Sequence, residues 1–243
     1  MPAIDFARVI DKLEACFAHH DTLGAERLLL YWLGEAEAVG DQNGLNQVEN
    51  ELVGLYRRTD EKDKALKVAE RLLPRLADDN VGDATIRLNI ATNYCHFGLP
   101  ERARPLYDKA EAVFVRYLAP DDYRLASLYN NQASYYIAVG DLAGAEAMYQ
   151  KALYVMRQIK PIMPEMAVTY VNLATVVYRQ SPLSDKVDEY MRAAWDVLQT
   201  PHMPHDGNFA FVLSKVVPIY AHLGYKAETD ALRGLLKDTE DRL

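Results

Sequence analysis

The chain has 243 residues, of which 50% are hydrophobic and 26% are charged, a balance that is typical of a folded protein and excludes a disordered one. Its 35 acidic and 27 basic residues give a formal net charge of −8. Because phosphate binding is mainly electrostatic, this charge argues against non-specific binding to nucleic acid or to an anionic membrane. We therefore expect neither as a partner.

The N-terminal stretch, MPAIDFARVIDKLEACF, places acidic residues inside its apolar pattern and contains no uninterrupted apolar run. It is therefore interpreted as neither a signal peptide nor a transmembrane helix. The two cysteines, Cys16 and Cys95, both fall within apolar helical patterns, which favours small buried side chains over a disulfide framework. These features predict a cytoplasmic protein.

The first two helical segments have apolar residues at spacings of three and four, as amphipathic helices do. In LEACFAHHDTLGAERLLLYWL, Ala25 occupies a small-residue position and His20 falls between two helical stretches. In ELVGLYRRTDEKDKALKVAERLL, Ala65 is the small residue and Asp60 falls between the helices. Adjacent residues do not share a helix face, so His19 and His20 are interpreted as turn residues.

The two central segments repeat each other. Seven positions, each 42 residues apart, agree between NIATNYCHFGLPERARPLYDKA and NQASYYIAVGDLAGAEAMYQKA. The matched pairs are Asn89 and Asn131, Ala91 and Ala133, Tyr94 and Tyr136, Gly98 and Gly140, Ala103 and Ala145, Tyr107 and Tyr149, and Ala110 and Ala152. Gly140 can adopt the left-handed conformation that ends a helix, and Asp141 can cap the next one. The small alanines predict close helix packing, with the tyrosines filling the space between neighbouring pairs.

The last two segments, NLATVVYRQSPLSDKVDEYMRAA and VVPIYAHLGYKAETDALRGLL, continue the pattern more weakly. The turn position is occupied in chain order by His20, Asp60, Gly98, Gly140, Ser181 and Gly224, at intervals of 40, 38, 42, 41 and 43 residues. Six segments at a period near forty residues predict stacked helical hairpins.

The pattern N-x-A-x-x-Y-x-x-x-G-D-x-x-x-A-x-x-x-Y-x-x-A-L, as in residues 131–153, resembles a tetratricopeptide repeat. The period near 42 is similar to that of the longer repeats of kinesin light chain and related bacterial proteins. The resemblance implies an all-α fold, a right-handed α-α superhelix of about six helical hairpins in a single domain. The predicted repeats span approximately residues 5–40, 45–78, 83–118, 123–160, 165–200 and 208–240.

The resemblance also implies a binding site, because in this family the first helix of each pair lines a concave groove. The residue two before the small alanine faces that groove, and here these positions hold Asp11, Glu51, Asn89, Asn131, Asn172 and Lys215. An amide side chain can donate to a peptide carbonyl and accept from a peptide N–H. We hypothesise that the three asparagines hold the backbone of an extended peptide. The alternative is that they bond to helix ends or to one another.

The ends of the first helices form the other edge of the predicted groove. They hold Arg57, Arg58, Cys95, His96, Tyr178, Arg179, Ala221 and His222. This pattern predicts a partly basic groove that takes an acidic ligand or a free carboxylate. Basic side chains also favour helix C-termini for dipole reasons alone, and this interpretation stays open. The candidate groove residues are Asn89, Asn131, Asn172, Arg57, Arg58, His96, Tyr178, Arg179 and Lys215.

Sequence motifs for catalysis are missing: there is no glycine-rich phosphate loop, no His-Glu-x-x-His and no Gly-x-Ser-x-Gly. The sequence predicts no catalytic residue and no cofactor. His202, His205 and Asp206 in PHMPHDG could supply metal ligands, but such a short set between prolines more often forms an exposed linker, so no metal is expected. Ile10 and Leu88 stand where a chaperone-tail clamp needs lysine or a polar group, which argues against that ligand.

The predicted function is that of a non-enzymatic scaffold or adaptor that binds a protein or peptide. One alternative is a peptide-sensing bacterial regulator that acts through another protein, since the sequence starts directly in a repeat. Another is a self-associating structural subunit. The last helical segment, AETDALRGLLKDTEDRL, places Leu232, Leu235 and Leu236 on one side, which predicts a homodimer through this helix.

Overall fold

The computed structural model describes residues 4–19 and 21–243, so His20, the first predicted turn residue, lies outside the described residues. The described residues form twelve α-helices and no strand. The helices are α1 (Phe6–Ala18), α2 (Thr22–Val39), α3 (Gln42–Arg58), α4 (Lys62–Leu72), α5 (Val81–His96), α6 (Pro100–Tyr117), α7 (Tyr123–Ala138), α8 (Leu142–Met156), α9 (Glu165–Gln180), α10 (Asp185–Leu198), α11 (Gly207–Leu223) and α12 (Lys226–Glu240). A short 3-10 helix, Leu73–Arg75, follows α4.

The chain divides into two compact units, unit 1 ending at Tyr117 and unit 2 beginning at Leu118. In unit 1, α2 packs on α1 and α3, α3 packs on α4 and α5, and α5 packs on α6. In unit 2, the pairs α7–α8, α9–α10 and α11–α12 are antiparallel neighbours along the chain, and α9 also packs on α8 and α11. The all-α fold of helical hairpins is therefore confirmed. The single domain and its repeat boundaries stay predictions.

Small residues let the two helices of a hairpin approach each other. Ala91 and Ala103 in the α5–α6 hairpin and Ala133 and Ala145 in the α7–α8 hairpin are all completely buried. Most of the repeated tyrosines are buried beside them, among them Tyr94, Tyr107 and Tyr149. Tyr136 is only half-buried, and its ring packs over Gly144, where an added Cβ would lie 2.6 Å from the tyrosine Cδ1.

Four turn residues between paired helices have the left-handed conformation that the sequence predicts for Gly140. The φ angles are 59° at Asp60, 74° at Gly98, 81° at Gly140 and 89° at Gly224. Ser181 differs, with an extended φ of −153°. The reason is a longer turn, since Pro182 prevents the helix from continuing directly and α10 begins only at Asp185.

Three helices begin with the same Asp-x-x-Gly capping unit. The pairs are Asp21 and Gly24 at α2, Asp41 and Gly44 at α3, and Asp141 and Gly144 at α8. Each carboxylate accepts a hydrogen bond from the glycine N–H, at 2.7, 2.9 and 2.8 Å respectively. A Cβ on these glycines would lie only 2.0 to 2.6 Å from the carboxylate. Glycine is therefore needed here for the close approach of the cap, and the predicted capping role of Asp141 is confirmed.

Both cysteines are free thiols, and both are half-buried rather than fully buried as the apolar pattern predicts. Cys95 lies near the end of α5, where the Tyr107 hydroxyl donates to its Sγ at 3.9 Å. Burial raises the pKa of the Cys95 thiol, so it behaves as a protonated, weakly polar packing residue.

Candidate functional site

The first helix of each hairpin carries the predicted groove residues, and the two units share them. Unit 1 holds Arg57 and Arg58 on α3 and Asn89 and His96 on α5. Unit 2 holds the remaining five residues, which are Asn131 on α7, Asn172, Tyr178 and Arg179 on α9, and Lys215 on α11.

In unit 1, both ends of the Asn89 amide are engaged by other side chains. Its Oδ1 accepts a hydrogen bond from Arg57 Nη1 at 2.7 Å. Its Nδ2 donates to Oδ1 of Asn50 at 2.9 Å and to the Asn50 backbone carbonyl at 3.1 Å. Asn89 therefore joins α5 to α3, and a peptide could use this amide only by displacing these partners.

The polar groups of α3 that surround Asn89 form one network with it, between α3 and α5. Burial lowers the pKa of the Arg57 guanidinium, which also donates to the Asn89 backbone carbonyl at 3.3 Å. Burial raises the pKa of the Glu51 carboxyl, while a hydrogen bond from Asn50 and the charges of Arg58 and Arg57 act in the opposite direction. The network satisfies its own members, which matches the alternative interpretation of the asparagine position.

The two other basic-edge residues of unit 1 also have partners within the unit. The Arg58 guanidinium carbon lies 3.9 Å from the centroid of the Phe17 ring, a cation–π contact. His96 Nε2 lies 3.4 Å from Oδ1 of Asp60, the left-handed turn residue. Because both groups of the second pair are largely exposed to water, this contact contributes little to stability.

The equivalent asparagines of unit 2 are less engaged. Asn131 is half-buried, and its Nδ2 donates to the carbonyl of Ser127 in its own helix at 2.9 Å, which leaves its Oδ1 as an acceptor. Asn172 is half-buried, and its side-chain amide forms no hydrogen bond with any residue in the described part of the chain. The asparagine that joins the first helices α7 and α9 is instead Asn130, whose Oδ1 accepts from Thr169 Oγ1 at 3.2 Å.

The register of α9 and α11 puts Lys215 at the position on α11 that matches Asn172 on α9. Asn208 Nδ2 donates to Glu165 Oε1 at 2.9 Å, and these two residues are 43 positions apart. Asn172 and Lys215 have the same separation, so they occupy matching positions about two helical turns further along. Lys215 is exposed, with its Nζ 5.0 Å from the centroid of the Phe211 ring.

Exposed aromatic and basic groups lie on the same two helices, α9 and α11. The Phe211 side chain is 59% exposed, and Tyr178 is 38% exposed near the end of α9. Arg179 follows Tyr178 and is also exposed. The first-helix residues of unit 2 thus combine an amide without an internal partner, two cations and two aromatic rings, which is a chemistry suited to binding another chain.

The sequence analysis does not identify several polar residues that lie on the first helices. Asn50, Asn130 and Thr169 link neighbouring first helices, and each bonded pair is 39 residues apart. A search for polar residues at this separation would have found them. Asn93, one turn beyond Asn89, is completely buried, and neither polar atom of its amide has a partner among the described residues. Nothing in the sequence pattern indicates that burial.

The histidine loop has a structural role. The His205 ring stacks on Phe209, with centroids 4.4 Å apart, and the Asp206 carboxylate accepts from the Phe209 N–H at 3.0 Å to cap α11. Within residues 4–19 and 21–243, no group of three or more potential metal ligands is found. Among the same residues, no helix combines the length and apolar character needed to cross a bilayer.

The predicted dimer surface on α12 is smaller than the sequence indicates. Leu232 is completely buried inside unit 2 and cannot contact a second copy. Leu235 and Leu236 remain half-buried. The three leucines therefore do not share one exposed face, because Leu232 points into the core between the helices of the last hairpin.

Comparisons with known proteins agree with this fold. Residues 82–159 match the family model of the tetratricopeptide repeat. No curated protein matches the sequence. Among solved structures, BtubC (BKLC) from P. vanneervenii is similar, with a TM-score of 0.70, 24% identity and 82% of each chain covered.

Two further structures share the fold at lower identity. A kinesin light chain candidate from Podosopora anserina with nearly identical TPR-like repeats has a TM-score of 0.59 and 13% identity, covering 81% of this chain and 95% of that one. The MamA RS-1 ArsTM double mutant has a TM-score of 0.54 and 15% identity, covering 84% and 100%. The prediction of tetratricopeptide repeats is therefore confirmed for residues 82–159, and the chain shares its fold with repeat proteins of the kinesin light chain type. Such stacked repeats serve as scaffolds for protein interaction.

Proposed function

We propose that this protein is a non-enzymatic scaffold and that unit 2 holds an extended segment of a partner protein along α7, α9 and α11. The observation that carries the proposal is the half-buried amide of Asn172, which bonds to no described residue of its own chain. A partly desolvated amide gains most from a partner that both donates and accepts, and an extended peptide backbone offers both groups.

The spacing of packed helices fits a ladder of such contacts. Neighbouring packed helices lie about 8–10 Å apart, and an extended peptide rises about 3.3 Å per residue. Side chains on the packed pair α9 and α11 would thus contact ligand residues about three apart, and α7 is joined to α9 through the hydrogen bond between Asn130 and Thr169. Asn131 on α7 and Asn172 on α9 would supply two of these contacts, with Lys215 taking the corresponding place on α11.

The side chains around the ladder indicate an acidic and partly aromatic or apolar ligand. Arg179 and Lys215 are exposed cations that attract a carboxylate. Phe211 and Tyr178 present ring surface of the kind that anchors protein interfaces. Asn89, Arg57 and Arg58 are left out of this surface, since each has a partner within unit 1, and His96 lies beside Asp60 in the same unit.

Site-specific photocrosslinking in the source cells tests the proposal. A benzophenone amino acid replaces Phe211, and in a matched variant it replaces Tyr154, an exposed aromatic residue on the second helix α8. We expect the Phe211 variant to crosslink one protein segment that the Tyr154 variant does not reach. Mass spectrometry of the crosslinked peptide should identify an extended acidic segment.

The role of the amide is tested in the same system. Asn172→Ala combined with Lys215→Ala should remove the crosslink from position 211. Gln150→Ala, which deletes an exposed amide on α8, should leave it unchanged. Equal crosslinking by the Asn172 and Gln150 variants would contradict the proposal and move the binding surface away from α9.

The crosslinked species and the oligomeric state distinguish the two alternative functions from this one. A peptide-sensing regulator would use the same surface but would crosslink to a free short peptide rather than to a segment of a protein. Self-association would appear as a dimer in sedimentation that Leu235→Lys and Leu236→Lys together dissociate. A monomer at high concentration would exclude it.

A further inference from the structure

A second feature of unit 2 shares no residue with the surface proposed above. A cavity of about 420 Å³ opens between α10 and the turn from α11 to α12. Its apolar wall consists of Met191, Trp195, Tyr220 and Tyr225. This volume falls in the range of about 300–1,000 Å³ that is usual for sites that bind small molecules or single side chains.

The two tyrosines present ring surface to the cavity and keep their hydroxyl protons for the protein. The Tyr220 hydroxyl donates to the backbone carbonyl of Met191 at 2.5 Å. The Tyr225 hydroxyl donates to the carboxylate of Asp188. Both hydroxyls are thus fixed, and neither proton is free for an incoming acceptor.

The charged groups of the cavity favour a ligand that is positively charged and donates hydrogen bonds. Asp188 and Glu228 supply two carboxylates, and Arg192 is the one cation in the lining. Burial raises the pKa of the Tyr225 hydroxyl, and the hydrogen bond to Asp188 and the charges of Asp188 and Glu228 raise it further. Arg192 makes no ion pair within the described part of the chain and is exposed. The lining therefore has a formal charge of −1.

We propose that this cavity binds an alkylammonium cation with an apolar stem, whose methylenes lie against Trp195 and Tyr220 and whose ammonium lies beside Asp188 and Glu228. Aromatic rings attract a cation through their negative faces, and carboxylates accept its N–H groups. An anion is disfavoured because two carboxylates oppose the single Arg192 guanidinium. A lysine side chain of a partner and a free polyamine share this chemistry.

Fluorescence of Trp195 reports occupancy directly. The chain has two tryptophans, so Trp32→Phe leaves Trp195 as the only one. This variant is titrated with a lysine capped at both ends, with the equally capped norleucine, which has a similar stem and no charge, and with spermidine. We expect saturable changes in emission, with the capped lysine or spermidine binding at least about tenfold more tightly than the norleucine.

Charge-neutral variants locate the cation within the cavity. Glu228→Gln and Asp188→Asn, which keep the side-chain shape, should each weaken binding at least about fivefold. Glu189→Gln removes the same charge from an exposed position on α10 outside the lining and should have no effect. Circular dichroism establishes that each variant is folded, and Glu228→Gln decides the outcome if Asp188→Asn does not fold.

The relative affinities identify the source of the cation. Tighter binding of capped lysine than of spermidine indicates a protein side chain, and the reverse order indicates a free polyamine; either result supports the proposal. Equal binding of lysine and norleucine, unchanged binding by the Glu228→Gln variant, or no saturable change with any probe overturns it.

Discussion

Asn89 in unit 1 and Asn172 in unit 2 occupy the same place in the repeat and have different environments. The Asn89 amide is bonded at both ends to Arg57 and Asn50, whereas the Asn172 amide has no partner in the described chain. The repeat pattern therefore determines where a side chain lies and not what it binds. The neighbouring first helix decides whether the side chain at this position has a partner within the chain.

The charged residues differ in the same way. In unit 1, Glu49 is only 1% exposed and forms ion pairs with both Arg71 and Arg75, and Arg75 Nε also donates to Asn46 at 3.0 Å. In unit 2, the ion pair of Lys186 with Glu146 is long, at 3.7 Å, and its lysine is well exposed. The buried carboxylate of unit 1 is thus held by two close ion pairs, whereas the Lys186–Glu146 pair of unit 2 is long and exposed to water.

Removal of the buried carboxylate should give the largest effect. Glu49→Ala leaves two arginines without their shared partner and should lower the free energy of unfolding by about 3 kcal/mol, measured by urea denaturation. Glu146→Ala is the control in unit 2 and should cost less than about 1 kcal/mol. Similar losses in the two variants would show that the polar network of unit 1 has no special role.

Alkaline pH should reveal a feature that the units share. Burial raises the pKa of Tyr56 in unit 1 and of Tyr149 in unit 2 to about 12, with the Tyr56 hydroxyl also bonded to Glu26. A raised pKa means that the folded state holds the phenol proton more tightly, so this stability is complete below pH 10 and is lost as pH rises toward 12. Each tyrosine should account for about 2 kcal/mol of the loss.

Phenylalanine variants isolate each tyrosine, because a phenyl ring does not titrate. Tyr56→Phe and Tyr149→Phe should each flatten the decline in unfolding free energy between pH 9 and pH 12 by a similar amount. Denaturation curves at several pH values measure this. If only one variant flattens the decline in unfolding free energy, burial does not raise the pKa of both tyrosines.

The asparagine pair tests the central comparison directly. Asn89→Ala leaves Arg57 and Asn50 without partners and should cost about 1–2 kcal/mol of unfolding free energy. Asn172→Ala breaks no internal hydrogen bond and should change it by less than about 0.5 kcal/mol. Urea denaturation of both variants measures the difference, and equal costs would remove the distinction between the two positions.

The smallest effect concerns the turns. Asp60 has a φ of 59°, a conformation that glycine adopts without strain at the equivalent Gly140. Asp60→Gly should therefore raise the stability of unit 1 by about 0.5 kcal/mol, visible as a higher melting temperature in calorimetry. Gly140→Asp should lower that of unit 2 by a similar amount. A lower melting temperature for Asp60→Gly would mean that the contact with His96 outweighs the strain.

Local features of the fold could be predicted well from the sequence. The alanine positions, the left-handed turns and the Asp141 cap depend on residues close together in the chain, and seven matches at one offset define them. Ser181 occupies the same repeat position but has an extended backbone, because its proline-containing turn is longer than that of the other hairpins. The family resemblance supplied the fold of the remaining segments.

For the candidate site, the sequence predicts where the residues lie in the repeat but not which groups they contact. Arg57 meets Asn89 across 32 residues, and only the packing of α3 on α5 brings them together. The same limit applies to the cavity beside Trp195, whose walls come from α10, α11 and α12. Partners that depend on how helices pack leave no signal in the spacing of a single repeat.

The Asp-x-x-Gly caps have a consequence for the order of folding. Each cap joins residues three positions apart, so its formation closes a very short loop and costs little chain entropy. Contacts of this kind form early, and proteins rich in them fold rapidly. Helices α2 and α3 in unit 1 and α8 in unit 2 can thus each begin without waiting for distant parts of the chain. Folding then has several starting points, and each unit contains at least one of them.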